Sequence, residues 1–367
     1  MSTPRINYAP KVLSEMIATQ LFAADPFFLV DVGASGGVDS HWDCFAPHLA
    51  GVGFDPLKKE CDRLNREQAS RGIRYVDAFV GADGFEALYP EQIAHQSAGP
   101  LPNAYERASS TRAQKIASYS FAQRFNNEDP EIVYTDRHVS LDGFVATEGI
   151  KSIDFLKVDT DGHDYEVLVG AKRALADTQV LGAFVECQFH GINHEHSNLF
   201  ANIDRYLREN GFMLFDLEAY RYTRSVLPGR FVYDIFAQTQ EGQMVWGDAL
   251  YFRDPMAPGY AELWGSLPRI KLLKLVALFE LYGLYDCAAE LLVAQRDTAF
   301  AGLPVDRWLD VLTRELEPGA GSYRQHMAHF AADPRRFFPS PMTASLRSNL
   351  PAPLLGVARK LKRSLGM

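Results

Sequence analysis

Apolar residues in this chain come in short unbroken runs, separated by stretches with helical spacing. The runs fall at 27–32, 51–54, 73–79, 153–158, 180–188, 212–217 and 231–238. Continuous rather than alternating apolar character marks strands covered on both faces, as in a parallel sheet. Helical patterns between the earlier runs imply right-handed crossovers wound on both sides of one sheet. A further helix precedes the first run, with Val12, Met16, Ile17 and Leu21 along one stripe. Only a short arginine-bearing link joins the last two runs, which suits a hairpin and hence one antiparallel edge strand. The expected fold is therefore α/β, a doubly wound, mostly parallel seven-stranded Rossmann-like sheet with one antiparallel edge strand, plus a C-terminal α-helical appendix.

The rhythm breaks between 82 and 150. This insertion carries Ser109, Ser110 and Thr111, a helical pattern over 113–124 and an extended piece at 131–141. An insertion at the carboxyl edge of such a sheet commonly shapes or covers a site. Beyond 252 the pattern turns helical, with helices at 270–281 and 285–294 and Gly283 at their joint. Prolines at 339, 341, 351 and 353 then mark a linker. The expected division is a sheet domain over 1–250, a helical appendix over 251–335, and a proline-containing linker with a basic amphipathic tail over 336–367.

Composition narrows the function classes. With 367 residues, 47% hydrophobic and 23% charged, the chain can bury a full core and has no disordered bias. A net charge of −9 argues against general nucleic-acid binding. The tail is a local exception: from Leu346 onward it holds Arg347, Arg359, Lys360, Lys362 and Arg363 and no acid. Leu354, Val357, Leu361 and Leu365 form one stripe there, so 354–365 can lie on an anionic membrane surface or dock on its own protein. The four cysteines show no C-x-x-C spacing, the N-terminus lacks a signal-peptide core, and no apolar run is long enough to span a bilayer. A cytoplasmic location is expected, with peripheral contact at the inner face of a membrane through the tail.

Chemistry concentrates at two strand ends. The first run ends Asp31-Val32-Gly33-Ala34-Ser35-Gly36-Gly37, where glycines allow a tight turn and close backbone approach to a ligand. Ser35 stands where the dinucleotide fingerprint needs its second glycine, which weakens a nicotinamide reading. The next run ends in Phe54-Asp55-Pro56, and an acid there can accept hydrogen bonds from ribose hydroxyls. Further on, Ile153-Asp154-Phe155-Leu156-Lys157-Val158-Asp159-Thr160-Asp161-Gly162 closes an apolar run with two acids one residue apart. Such a pair can hold a divalent metal on a nucleotide-sugar, or sit beside a cofactor and activate a hydroxyl. Asp154 and Lys157 read as packing and capping residues, and His41 and His163 as polar surface or core-edge groups. Cys187, His190, His194 and His196 lack a standard zinc spacing, so no metal site is predicted, although a divalent metal is compatible with the chemistry.

Asp31, the glycine turn and Asp55 together resemble the cofactor half of a class I S-adenosylmethionine-dependent methyltransferase. The block from Ile153 to Ala171 narrows this: it resembles the signature of FkbM-type methyltransferases, a D-x-L-K-I-D-x-E-G-x-E pattern followed by V-L-x-G-A. Val139-Ser140-Leu141-Asp142, Ser109-Ser110 and Val185-Glu186 agree in order. The resemblance spans roughly 27–238. Two departures stand out: Asp161 replaces the usual Glu, and His163-Asp164 replaces a small residue and Glu.

The resemblance implies S-adenosylmethionine as cofactor, bound by Asp31, Gly33, Ser35, Gly37, Asp55 and Asp159. It implies an oxygen acceptor, a sugar hydroxyl of a glycan, glycolipid or glycosylated natural product. A hydroxyl is a poor nucleophile and needs a base or a metal, for which Asp161, Glu186 and His190 are the candidates. Ser109 and Ser110 would bind the acceptor. Two rivals are a metal-dependent glycosyltransferase using Asp159 and Asp161, and a non-catalytic cofactor-binding scaffold that recruits partners through its helical appendix and tail.

Overall fold

The computed structural model describes residues 6–83, 134–160, 162–189, 194–222, 238–239, 241–317 and 319–338. The first apolar runs become parallel strands: β1 (Phe27–Val32), β2 (Leu49–Asp55) and β3 (Ile73–Asp77). Two short strands, β4 (Phe79–Gly81) and β5 (His138–Ser140), pair in parallel and bring the flanks of the insertion together. Then follow β6 (Phe155–Val158), β7 (Gly182–Gln188), β8 (Met213–Tyr222), β9 (Gln238–Thr239) and β10 (Gln243–Phe252). The main sheet has the order β3-β2-β1-β6-β7-β10-β8-β9. The expected antiparallel element is present at this end, with β10 antiparallel to both β7 and β8. It lies beyond the 231–238 run, of which residues 231–237 fall outside the described residues. The strand order reverses between β1 and β6, and the crevice outside such a switch point is where open α/β sheets bind ligands.

The two faces of the sheet are covered differently. One packs Val30, Val32, Leu156, Val158, Val185 and Ala249 into an aliphatic core with α3 (Leu141–Glu148), α4 (Asp164–Val169), α5 (Lys172–Asp177) and α6 (Phe200–Glu209). The other face is aromatic. Phe27 stacks on Trp42 at 5.5 Å and Phe155 on Tyr282 at 5.6 Å. These rings come from a 3₁₀ turn at Ser40–Phe45, from the sheet, and from the end of α8 (Arg269–Leu281).

Helices α1 (Lys11–Ala18), α2 (Lys58–Glu67), α7 (Tyr260–Trp264) and α9 (Tyr285–Gln295) complete this unit, which spans residues 1–303. Helix α8 is buried from Lys271 to Leu281 on every side, as a helix through a core should be. Gly283, at φ +69°, turns the chain from α8 into α9. A second unit, 304–367, contains α10 (Val305–Leu316) and α11 (Tyr323–Ala332), the latter started by Ser322 accepting from Gln325 N–H. Ser109 and Ser110 in the insertion, Asp161, His190 and the basic stripe at 354–365 lie outside the described residues. No helix among the described residues is long and apolar enough to cross a membrane.

Candidate functional site

The glycine turn is shaped by what surrounds it. Gly33 N–H and Ala34 N–H both donate to the Phe54 carbonyl, at 3.0 and 2.8 Å, tying the end of β1 to the end of β2. Gly33 sits at φ +86°, and a Cβ there would overlap the Asp159 carbonyl. Any side chain would thus push the turn off the end of β6. Gly36 N–H donates to Glu60 Oε1 at 3.0 Å, which fixes the turn to α2. Asp55, buried at the end of β2, accepts from Leu57 N–H at 2.7 Å through Oδ1. Burial raises its pKa, opposed by that hydrogen bond.

These elements wall a cavity of about 640 Å³ that touches Asp31, Gly33, Ser35, Gly37, Asp55 and Asp159. All six residues read from the sequence as cofactor-binding therefore converge on one space. Phe79, Tyr134, His138, His163 and Glu166 form its other side. His163 Nδ1 lies 3.2 Å from Glu166 Oε2, so this residue faces the cavity beside a carboxylate rather than only the surface. The loop after β6 is held from behind. Asp164, fully buried, accepts from Thr160 N–H at 2.8 Å and from Thr160 Oγ1 at 3.0 Å. Its other oxygen accepts from Gly162 N–H and from Asn198 Nδ2 at 3.3 and 2.9 Å. Burial, reinforced by Asp159, pushes its carboxyl up.

Lys157 is the residue the sequence reading undervalued. Its ammonium lies 3.1 Å from Asp31 and 3.5 Å from Asp159, and donates to the Gly33 carbonyl at 3.3 Å. Burial alone would lower its pKa, but Asp31 and Asp159 outweigh it and hold the group charged. For Asp31 the balance goes the other way: burial raises it to about 6 in spite of Lys157. The signal was a lysine inside an apolar run, in phase with Phe155 and Asp159. A buried ammonium there needs a carboxylate on a neighbouring strand.

A second cavity, of about 650 Å³, lies on the aromatic face of the sheet and shares Lys157 and Asp39 with the first. Trp42, Phe155, Phe184, Tyr220 and Tyr282 line it, with His41, Glu218 and Asp248. Register places Glu186 on β7 and Glu218 on β8 on either side of Asp248 on β10. The sequence candidate Glu186 is thus half-buried in a row of three carboxylates. Burial raises Asp248 to about 7, with Asp159 adding to the effect. Tyr220 OH donates to its Oδ2 at 3.1 Å. Burial also raises Glu218 and lowers His41, whose Nε2 has no hydrogen-bond partner among the described residues.

Cys187 points into the aliphatic core, away from this face, and its thiol donates to the Gly247 carbonyl at 3.2 Å. It therefore cannot join His194 and His196, whose rings lie 5.4 Å apart. Among the described residues no group of three or more His, Cys, Asp or Glu side chains is placed to hold a metal ion.

Comparison with known proteins adds a family. A protein-family model described as Methyltransferase FkbM domain matches residues 31–214, half of the chain. No match was found among the curated proteins. Solved structures similar to this chain include magnesium protoporphyrin IX methyltransferase from Synechocystis PCC 6803 with bound SAM. That match has 9% identity and a TM-score of 0.29, covering 67% of this chain and 80% of that one. Precorrin-6y C5,15-methyltransferase from Geobacter metallireducens GS-15 is also 9% identical, with TM-score 0.29 and coverage of 68% and 93%. Fibrillarin from Aeropyrum pernix with bound S-adenosyl-L-methionine is 11% identical, with TM-score 0.28 and coverage of 61% and 66%. The family assignment stands on the first match: the chain belongs to the FkbM methyltransferase domain family.

Proposed function

We propose that this methyltransferase transfers the methyl group of S-adenosylmethionine to a sugar hydroxyl of a glycan, glycolipid or glycosylated natural product. The observation that carries the reading is the pair of adjoining cavities: one built from the glycine turn and Asp55, the other aromatic and acidic, with Lys157 and Asp39 common to both. The first fits the donor chemically. A buried carboxylate at the end of β2 suits ribose hydroxyls, and the glycines at 33, 36 and 37 let the backbone of the turn come close to a ligand. Asp31, Asp39 and Asp159 complement a sulfonium cation. When bound, the donor supplies an electrophilic methyl carbon. The chain's own residues hold it, keep Lys157 between Asp31 and Asp159, and provide a base for the hydroxyl. Asp159 serves placement in this reading, while Asp161, Glu186 and His190 remain the sequence-level candidates for the base. Ser109 and Ser110 would contact the acceptor.

The test is calorimetry with S-adenosylmethionine in the presence of a chelator. The wild type binds, and Asp55→Ala weakens binding by roughly tenfold or more, the loss of a charge-assisted hydrogen bond. Mass spectrometry of glycans and small metabolites from deletion and complemented cells then looks for a methyl mass that returns with wild type and not with Asp55→Ala. Unchanged masses, or binding that needs a nucleotide-sugar and manganese, would defeat the reading.

A further inference from the structure

Methyl transfer to a hydroxyl needs a room for the acceptor beside the donor, and a group there that can take a proton. The cavity on the aromatic face has both. Its volume of about 650 Å³ is in the range of small-molecule sites. Its walls are largely aromatic rings, which suit the C–H faces of a sugar, and its charged groups include three carboxylates, which accept hydrogen bonds from hydroxyls. Asp39, Glu218 and Asp248 line it; among the described residues no arginine does, and the one lysine is already engaged by Asp31 and Asp159. A phosphate or carboxylate on the ligand would meet like charge at close range.

We propose that this second cavity receives the acceptor as an uncharged, sugar-sized polyol, and that Asp248 is the base that takes the proton of the attacking hydroxyl. This rests on the methyl-transfer reading above. Asp248 stands out among the cavity's acids by its surroundings. Glu186 faces it from β7, Glu218 and Tyr220 from β8, and Asp159 and Lys157 act on it from β6. Tyr220 OH holds one carboxylate oxygen, at 3.1 Å, and so orients the other. The carboxyl is raised to about 7, where a base is both deprotonated at working pH and strong enough to pull a proton. In the step, the acceptor oxygen forms its bond to the methyl carbon as the methyl–sulfur bond breaks. The sulfonium becomes a neutral thioether, and the hydroxyl proton passes to a carboxylate oxygen of Asp248 and then to solvent.

The experiment uses the full chain, methyl-labelled S-adenosylmethionine, and two probe sets: methyl glycosides of neutral hexoses and the same hexoses phosphorylated. Neutral glycosides are expected to bind by calorimetry and to accept label; the phosphorylated set does neither. Asp248→Asn keeps its affinity for the donor, which reports an intact fold, while transfer falls by about 10²-fold or more. Tyr220→Phe removes a hydrogen bond that favours the ionised form, so the acid limb of the pH–rate profile moves to higher pH, which a merely structural tyrosine would not cause. Transfer by Asp248→Asn within about threefold of wild type overturns the base assignment. Preference for phosphorylated sugars, or no binding of any neutral glycoside, overturns the acceptor class. Failure of the wild type to bind S-adenosylmethionine at all would instead defeat the underlying methyl-transfer reading.

Discussion

The two ends of β6 carry the same chemistry in opposite states. At the start of the strand Asp154, 0% exposed, lies 2.8 Å from Lys271 through one oxygen and 2.8 Å from Lys274 through the other. Phe28 N–H also donates to it at 2.8 Å. The lysines are satisfied in turn by the carbonyls of Ile153 and Pro26. At the other end Lys157 faces Asp31 and Asp159 across longer contacts, and its side chain, 16% exposed, borders both cavities. A closed ion cluster fixes the strand against α8. An open one leaves hydrogen-bonding capacity that a ligand can use. Burial of charge alone does not separate structure from function; the space beside it does.

Breaking the closed cluster should have the largest effect. Asp154→Ala leaves buried Lys271 without a carboxylate and Lys274 with Asp25 alone, at 3.1 Å, and is expected to cost about 3–5 kcal/mol of folding stability, read from denaturant midpoints. A loss below 1 kcal/mol would erase the distinction between the two ends. Lys157→Met opens the other cluster, where water from the cavities can reach Asp31. A smaller loss of about 1–3 kcal/mol is expected, together with weaker binding of S-adenosylmethionine in calorimetry.

The sharpest and smallest test is the pH dependence of Asp248→Asn. Asp248 is raised from 3.8 to about 7, so the folded state binds its proton more tightly than the unfolded chain does. Its contribution to stability is therefore fullest below pH 4 and is lost as pH rises towards 7. The neutral asparagine escapes that loss. The variant should be more stable than wild type by about 1–2 kcal/mol at pH 8, with no gain at pH 4. A gain that is equal at both pH values would show that the carboxyl is not raised. A variant more stable yet inactive would mark Asp248 as a residue kept for chemistry against stability.

What the sequence disclosed was local. The glycine turn, Asp55 and the end of β6 are each legible because a strand, its turn and its terminal acid are neighbours in the chain. The six positions expected from the sequence to bind a cofactor converge on one cavity. The second cavity is assembled from Trp42, Phe155, Tyr220, Asp248 and Tyr282, which are spread over most of unit one. Aromatic residues at strand positions read as core, and only the packed sheet shows which rings border a space. Strand β10 was missed for a related reason. Asp248 interrupts the apolar run of Gln243–Phe252, whereas the sequence pattern points to 231–238 as the last strand; of that run residues 231–237 lie outside the described residues. The carboxylate that hid the strand is the one with the clearest chemical use. Asp161, the departure from the family signature, stays a sequence-level candidate.

The interleaving of β10 between β7 and β8 bears on what counts as a module here. The stretch matched to the family ends at residue 214, inside β8, before β10 and before the helix that supplies both lysines to Asp154. Glu280 from the end of that helix also accepts from Val12 N–H and Leu13 N–H at the start of α1, tying the beginning of the chain to a point 268 residues away. A graft of 31–214 into another protein would carry the glycine turn but leave β7 with an open edge and Asp154 without a counter-charge. The segment matched to the family is smaller than the compact unit in which it sits.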